Sequence, residues 1–304
     1  MPALIGMSNA AWKRQPSGRL RPNWNSAVLN AIQPMALFVP SGVPGDPFSG
    51  NTIIDLMETY SVEPFLDANI RAGTPGIGAW TESKNNVLDD ESVSCWRSNL
   101  FPSAEINSFF NYYQLLNNVS ASAYYVNGSH SGHNARRLFA GAGGSAGNDR
   151  VIYGYGETFF NTAAGSIVPG LAGETHLTGL STSPTVFYGY YDGRLLGSSS
   201  FAWTGGTSAR SLFLGSRALN KGTNDFSVLA TPSNLMLWTV VGRGYLDAAG
   251  VADLYANPWQ LLDPAPSRFY LIPTAPVLTI PTLSNPGVTD ITATAARPQV
   301  TLTY

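Results

Sequence analysis

The chain has 304 residues, of which 12% are charged, 44% hydrophobic and 12% aromatic, with Gly (31) and Pro (21) both abundant. A formal net charge of −2 offers no electrostatic footprint for nucleic acid or an anionic membrane surface. The single cysteine, Cys95, excludes an internal disulfide framework, and no apolar run reaches the roughly 18 residues that a membrane-spanning helix needs.

Met1-Pro-Ala-Leu-Ile-Gly-Met lacks the basic region and apolar core of a signal peptide. The expectation is a protein that reaches the outside of a cell by lysis or in an assembled particle. Residues 1–34 read as an N-terminal arm, with proline, basic residues and two tryptophans, Trp12 and Trp24, but no periodicity. Such a terminus is either loose or docked through its tryptophans, each of which buries a large area when packed.

Ala36–Val39 is the first expected strand, closed by Pro40 and the turn-rich stretch to Gly50. Thr52–Tyr60 reads as a strand or a short helix, and glycine and proline interrupt Ala68–Trp80. Ser92–Arg97 alternates as a strand, and Phe109–Leu116 is an aromatic, buried run. Ser120–Val126 then reaches an expected turn at Asn127-Gly128. Ala135–Ala140, a loop over Gly141–Asp149, and strands at Arg150–Tyr155, Ser166–Leu171, Glu174–Leu180 and Thr185–Tyr191 follow. Strands recurring every 8–12 residues or so are the pattern of an all-β sandwich.

Asp192-Gly193 is expected to be a type I′ hairpin turn, because both residues tolerate positive φ. Ser211–Arg217 and Leu235–Val241 read as strands around a loop at Ala218–Asp225. A short helix follows from Asp247 to Ala256, capped by Asp247, with Val251 and Leu254 facing the sheet and Asp253 on the polar side. Asn257-Pro258-Trp259 stops it. Beyond Leu262 prolines mark a linker, and the alternating Ile291–Thr294 and Gln299–Tyr304 are expected to pair with this domain's edge or a neighbouring subunit, being too short to fold alone.

The order of hairpin, Leu212-Phe-Leu-Gly-Ser-Arg217, strand, short helix and Asn257-Pro-Trp-Gln-Leu-Leu262 resembles the C-terminal half of a laminin-G-like (concanavalin A-like) jelly-roll domain. The version it resembles is common in structural proteins of tailed bacteriophages. The Thr289-Asp-Ile-Thr-Ala-Thr and Ala296-Arg-Pro ending is similar to that of phage proteins carrying this domain. The expected fold is all-β, a two-sheet antiparallel jelly-roll sandwich over residues 35–263, with an arm at 1–34 and a Pro-rich linker and β segment at 264–304. The resemblance implies a non-enzymatic virion protein of the tail tip, baseplate or particle decoration. Such a protein is assembled in the bacterial cytoplasm and exposed after lysis. Its partners would be other virion proteins and copies of itself, met through the terminal arms, and host-surface glycan, with no nucleic acid and no membrane insertion.

Catalytic patterns are weak. Gly143-Gly-Ser145-Ala-Gly147 matches a nucleophile elbow in letters, but a strand follows where the motif needs a helix. His130 and His133 form a poor zinc template in a glycine-containing turn. Asp89-Asp90-Glu91 is a contiguous charge run whose side chains alternate across any strand, unlike the Glu-x-Asp-x-x-Glu arrangement of sandwich glycosidases. No phosphate-binding glycine motif is present. No cofactor is expected, calcium excepted: Asp192, Asn224 and Asp225 are candidate ligands in turns.

Two Tyr-Gly-Tyr sets, Tyr153-Gly154-Tyr155 and Tyr188-Gly189-Tyr190, place paired tyrosines on one strand face and a glycine on the other. A tyrosine-lined sheet face could stack sugar rings. The same residues could equally serve packing or assembly, and each glycine implies that something approaches its face closely. Beside the virion scaffold stands a second reading, a glycan-binding adhesin using these four tyrosines. A third, a secreted glycosidase, lacks both its carboxylates and a signal.

Overall fold

The structure is a computed structural model. It describes residues 15–16, 20–41, 52–65, 69–72, 76–83, 93–115, 123–129, 136–144, 150–163, 166, 171–208, 211–215, 217–218, 226–227 and 234–264. The chain divides into two compact units, Met1–Ala265 and Pro266–Tyr304. The tail expected to pair with an edge falls outside the described residues.

The elements run β1 (Leu20–Pro22), α1 (Ala27–Ile32), β2 (Pro34–Pro40), β3 (Ile53–Asp55), β4 (Val62–Phe65), β5 (Asn69–Ala72), β6 (Ile77–Ser83), β7 (Val93–Ser98) and β8 (Ser108–Leu115). They continue with β9 (Ala123–Ser129), β10 (Arg137–Gly144), β11 (Arg150–Gly156), β12 (Thr158–Asn161), β13 (Thr175–Thr182), β14 (Val186–Tyr191) and β15 (Arg194–Ser200). The last are β16 (Phe213–Leu214), β17 (Arg217–Ala218), β18 (Phe226–Ser227), β19 (Asn234–Gly242), α2 (Ala248–Ala256) and β20 (Leu262–Pro264).

These strands make the expected antiparallel sandwich. One sheet runs β15-β14-β13-β8-β19, and the far edge of β19 is shared by β2, which continues to β3, and by β6, which continues to β5. The other runs β12-β11-β10-β9, then β16, β7 and β4. β6 joins the two by pairing Glu82 and Ser83 with Ser94 and Val93 of β7.

The first sheet is buried on both faces. Between the sheets lie Phe38, Trp96, Phe109, Leu180, Phe187, Met236 and Val241. On its outer face a second cluster forms where α1, α2 and the turn Pro258–Leu261 cover it. There Tyr112 packs at a tilt against Trp238 at 5.6 Å and meets Trp259 edge-on at 5.4 Å. An antiparallel strand usually alternates between core and water, yet every residue of β8 is buried. Each large apolar side chain on that outer face contributes about 1.5–3 kcal/mol that a bare sheet would forgo.

Part of the expected N-terminal arm belongs to this second core. Ser26 Oγ accepts a hydrogen bond from Leu29 N (3.2 Å) to cap α1, and Gln33 ends the helix in the left-handed region before Pro34. Val28, Leu29 and Ile32 are buried, whereas Trp24 is 54% exposed. Among the described residues, docking is therefore done by the small amphipathic helix and not by Trp24; Trp12 lies outside the described residues. β1 pairs with β20 on the far side of the chain, and Arg21 salt-bridges Asp263 at 2.7 Å.

Other boundaries also shift. Asn127-Gly128 is no turn: β9 runs through it, because the backbone at Gly128 lies against Phe139 of β10 and leaves no room for a Cβ. Gly141–Gly144 extend β10 where a loop was expected. Within Thr52–Tyr60 lies a three-residue strand, Ile53–Asp55, whose last residue organises the following turn. Its carboxylate accepts from the backbone N–H groups of Leu37, Met57, Thr59 and Tyr60 at 2.9–3.1 Å. The Asp192-Gly193 turn has positive φ at both residues (49° and 76°), as the I′ geometry requires. Asp247 caps α2, with Val251 and Leu254 buried beneath it.

Candidate functional site

The two Tyr-Gly-Tyr sets sit on different sheets and point in opposite senses. On β11, Tyr153 and Tyr155 face the space between the sheets and are 0% and 1% exposed. Tyr153 OH donates to the carbonyl of Tyr190, and Tyr155 OH to that of Ile106. Burial raises the pKa of both phenols, that of Tyr155 to about 12. Expected on a sugar-facing surface, these two residues are interior, where each hydroxyl is itself satisfied by a backbone carbonyl. Neither can touch a ligand.

The glycines explain the interlock. A Cβ on Gly189 would lie 2.3 Å from the Tyr153 ring, so the glycine of one set is the seat of a tyrosine of the other. Gly154 likewise lies under the ring of Phe139, with 2.2 Å to any added Cβ. Close approach at the glycine face was legible in the motif. Which face was interior was not.

On β14 the tyrosines face away from that core. Tyr190 is buried beneath the helices (2% exposed), while Tyr188 is half-buried. Tyr245, between β19 and α2, packs edge-on against Tyr188 at 6.2 Å and is itself 43% exposed. Tyr190 lies beside Tyr245. Desolvation and the proximity of Tyr245, Tyr188 and Asp247 push the Tyr190 phenol well above its usual range. Tyr245 was not foreseen. Its exposure follows from the helix start: Leu246 precedes the Asp247 cap and shares the buried cluster with Val251, four residues into the helix. That is the staple arrangement. With Leu246 held inward, Tyr245 is left at the surface.

Tyr245 also stands at the rim of a groove of about 470 Å³ between α1 and α2, floored by Ala27, Val28, Ala31 and Ala249. Asp247 and Asp253 are its charged lining residues. The result is a shelf of two aromatic faces with hydroxyls, opening onto a small-residue trough with carboxylates. Such a surface can stack an apolar sugar face and hydrogen-bond its hydroxyls.

No protein-family model and no curated protein matches the sequence. Among solved structures the chain is similar to receptor-binding domains of botulinum neurotoxins. One is the serotype D ligand-binding domain in complex with N-acetylneuraminic acid, at 11% identity over 76% of this chain and 52% of that one, with a TM-score of 0.49. Another is from botulinum neurotoxin type C, whose cell entry depends upon interaction with two ganglioside molecules. It matches at 11% identity over 75% and 52% of the two chains, with a TM-score of 0.49. The chain thus spans about half the length of the chains it matches. At that distance the site is argued from its own geometry.

A second polar cluster surrounds His176 on β13. Its Nδ1 lies 2.8 Å from Asp192 Oδ2 and 2.9 Å from Tyr191 OH, its ring stacks on Tyr191, and Nε2 is 3.7 Å from Glu174. Asp192 Oδ1 accepts from Leu177 N at 2.9 Å. Asp192, expected among calcium ligands, is thereby committed to holding the hairpin against β13. Asn224 and Asp225 lie outside the described residues, as do His130, His133, Ser145 and the acidic run at 89–91. Among the described residues no group of three or more His, Cys, Asp or Glu side chains could hold a metal ion, and no helix is long and apolar enough to cross a membrane. Cys95 is fully buried, and burial holds it as the thiol.

Proposed function

We propose that the chain is a non-catalytic binding and assembly module that recognises carbohydrate on the Tyr188–Tyr245 shelf. The observation that carries this reading is the pairing of an exposed tyrosine with a half-buried one beside an open groove. Rigid aromatic residues make contact area at low entropic cost, and their hydroxyls match a polyol.

The resemblance of residues 187–262 to laminin-G-like domains of tailed bacteriophages supports placing this module in a virion, in the tail tip, baseplate or decoration layer. There the shelf would face host-surface glycan. The helix layer bears on assembly too: α1 and α2 already cover much of one sheet's outer face within the chain, so contacts with other virion proteins would use other surfaces.

The test is binding of the purified chain to host-cell surface polysaccharide and to an array of defined oligosaccharides. Tyr245→Ala and Tyr188→Ala are expected to weaken retention at least tenfold while leaving the melting temperature within a few degrees. Undiminished binding by both variants would sink the site. Absence of the protein from purified particles would sink the virion placement.

A further inference from the structure

We infer that the groove beside the shelf selects a sugar bearing a protonated amino group, an unacetylated hexosamine, over neutral and anionic sugars. This rests on the glycan-binding reading above and names its ligand class. The groove's lining mixes small apolar residues from α1 and α2 with two carboxylates, Asp247 and Asp253, and contains no Lys, Arg or His. Asp247 Oδ1 accepts from Gly250 N at 2.8 Å as the helix cap, which fixes the carboxylate at the groove wall. Asp253 keeps its backbone carbonyl for Asn257 N and Gln260 Nε2, while its side chain enters no ion pair among the described residues.

The wall is therefore acidic and unneutralised, next to two aromatic rings that would carry the sugar's apolar face. A sialyl or phosphorylated sugar would bring like charge to it. A neutral N-acetylhexosamine would leave both carboxylates facing water. A hexosammonium group meets them with three N–H donors, and the small floor residues Ala27, Ala31 and Ala249 leave room for the ring.

The experiment is isothermal titration of the full chain with three probes at low salt: a glucosamine tetramer, its fully N-acetylated counterpart and a sialylated trisaccharide. The glucosamine tetramer is expected to bind roughly three- to tenfold more tightly than the acetylated one, the range that two partly exposed ion pairs supply. The preference should fade as salt rises. Asp253→Asn and Asp247→Asn should each remove about threefold of that preference, read as the ratio of the two tetramers' affinities within each variant; Asn retains the helix cap at position 247, so folding survives. Equal binding of the two tetramers, tighter binding of the sialylated probe, or indifference to both substitutions would overturn the charge selection and leave the carbohydrate reading standing. Binding of none of the three probes would overturn both.

Discussion

Tyr153-Gly-Tyr155 and Tyr188-Gly-Tyr190 are the same tripeptide on strands of two facing sheets, and they do opposite work. The β11 set turns its rings into the inter-sheet core and spends its hydroxyls on the carbonyls of Tyr190 and Ile106. The β14 set turns its glycine inward to seat Tyr153 and its rings outward, where Tyr188 remains accessible beside Tyr245. Period-two alternation assigns residues to faces. Which face becomes interior depends on the sheet to which the strand is added. One set is interior throughout, and the other leaves one tyrosine, Tyr188, at the surface.

The sharpest way to break the comparison is Tyr153→Ala. It removes a fully buried ring seated on Gly189 and should cost about 3–5 kcal/mol in urea unfolding. Any loss of ligand binding in that variant would report unfolding and not a lost contact.

Alkali reads the burial of Tyr155 next. In the unfolded chain a tyrosine ionises near pH 10, whereas Tyr155 in the folded chain resists until about 12. Its folded value is raised, so its contribution is fully present below pH ~10 and is lost as pH climbs towards 12, with up to about 2–3 kcal/mol at stake from this residue. Urea midpoints taken across that window should fall, and Tyr155→Phe should flatten the fall.

Gly189→Ala drives a methyl into the Tyr153 ring and is expected to cost about 1–3 kcal/mol. If Gly189→Ala melts like the native chain, the interlock of the two motifs is wrong. Tyr153→Phe keeps the ring but removes its hydrogen bond to the Tyr190 carbonyl, for about 1 kcal/mol. The smallest stability effect belongs to Tyr188→Ala, under about 1 kcal/mol because its ring is only half-buried, while its effect on sugar retention should be the largest of the series.

Local signals carried much of the fold. Asp192-Gly193 specifies its own hairpin through backbone preferences, and Asp247 caps α2 through a hydrogen bond three residues away. Both were readable because the chemistry is contained in a few neighbours. What failed was long-range. Asn127-Gly128 carries a turn's letters, but its glycine answers to Phe139 on the next strand. The polar N-terminal segment hid α1, whose burial depends on a sheet assembled from distant residues. Of the four tyrosines expected to form one surface, Tyr188 remains accessible, and its partner Tyr245 stands more than fifty residues further on. The Leu246–Asp247–Val251 arrangement was the available clue, since an inward leucine beside a cap turns the residue before it outward.

The three-residue ribbon of β1 and β20 has a mechanical consequence. Its pairing is antiparallel, so Leu20 lies opposite Pro264 at the end where the chain enters β1 and leaves β20. Tension applied through those two connections would therefore peel the ribbon one residue pair at a time, from Leu20–Pro264 through the Arg21–Asp263 salt bridge to Pro22–Leu262. Such a clasp yields at low force while the sheets, the helix layer and the tyrosine shelf stay folded. Pulled at both connections, the domain would lengthen by paying out strap before it surrendered its grip.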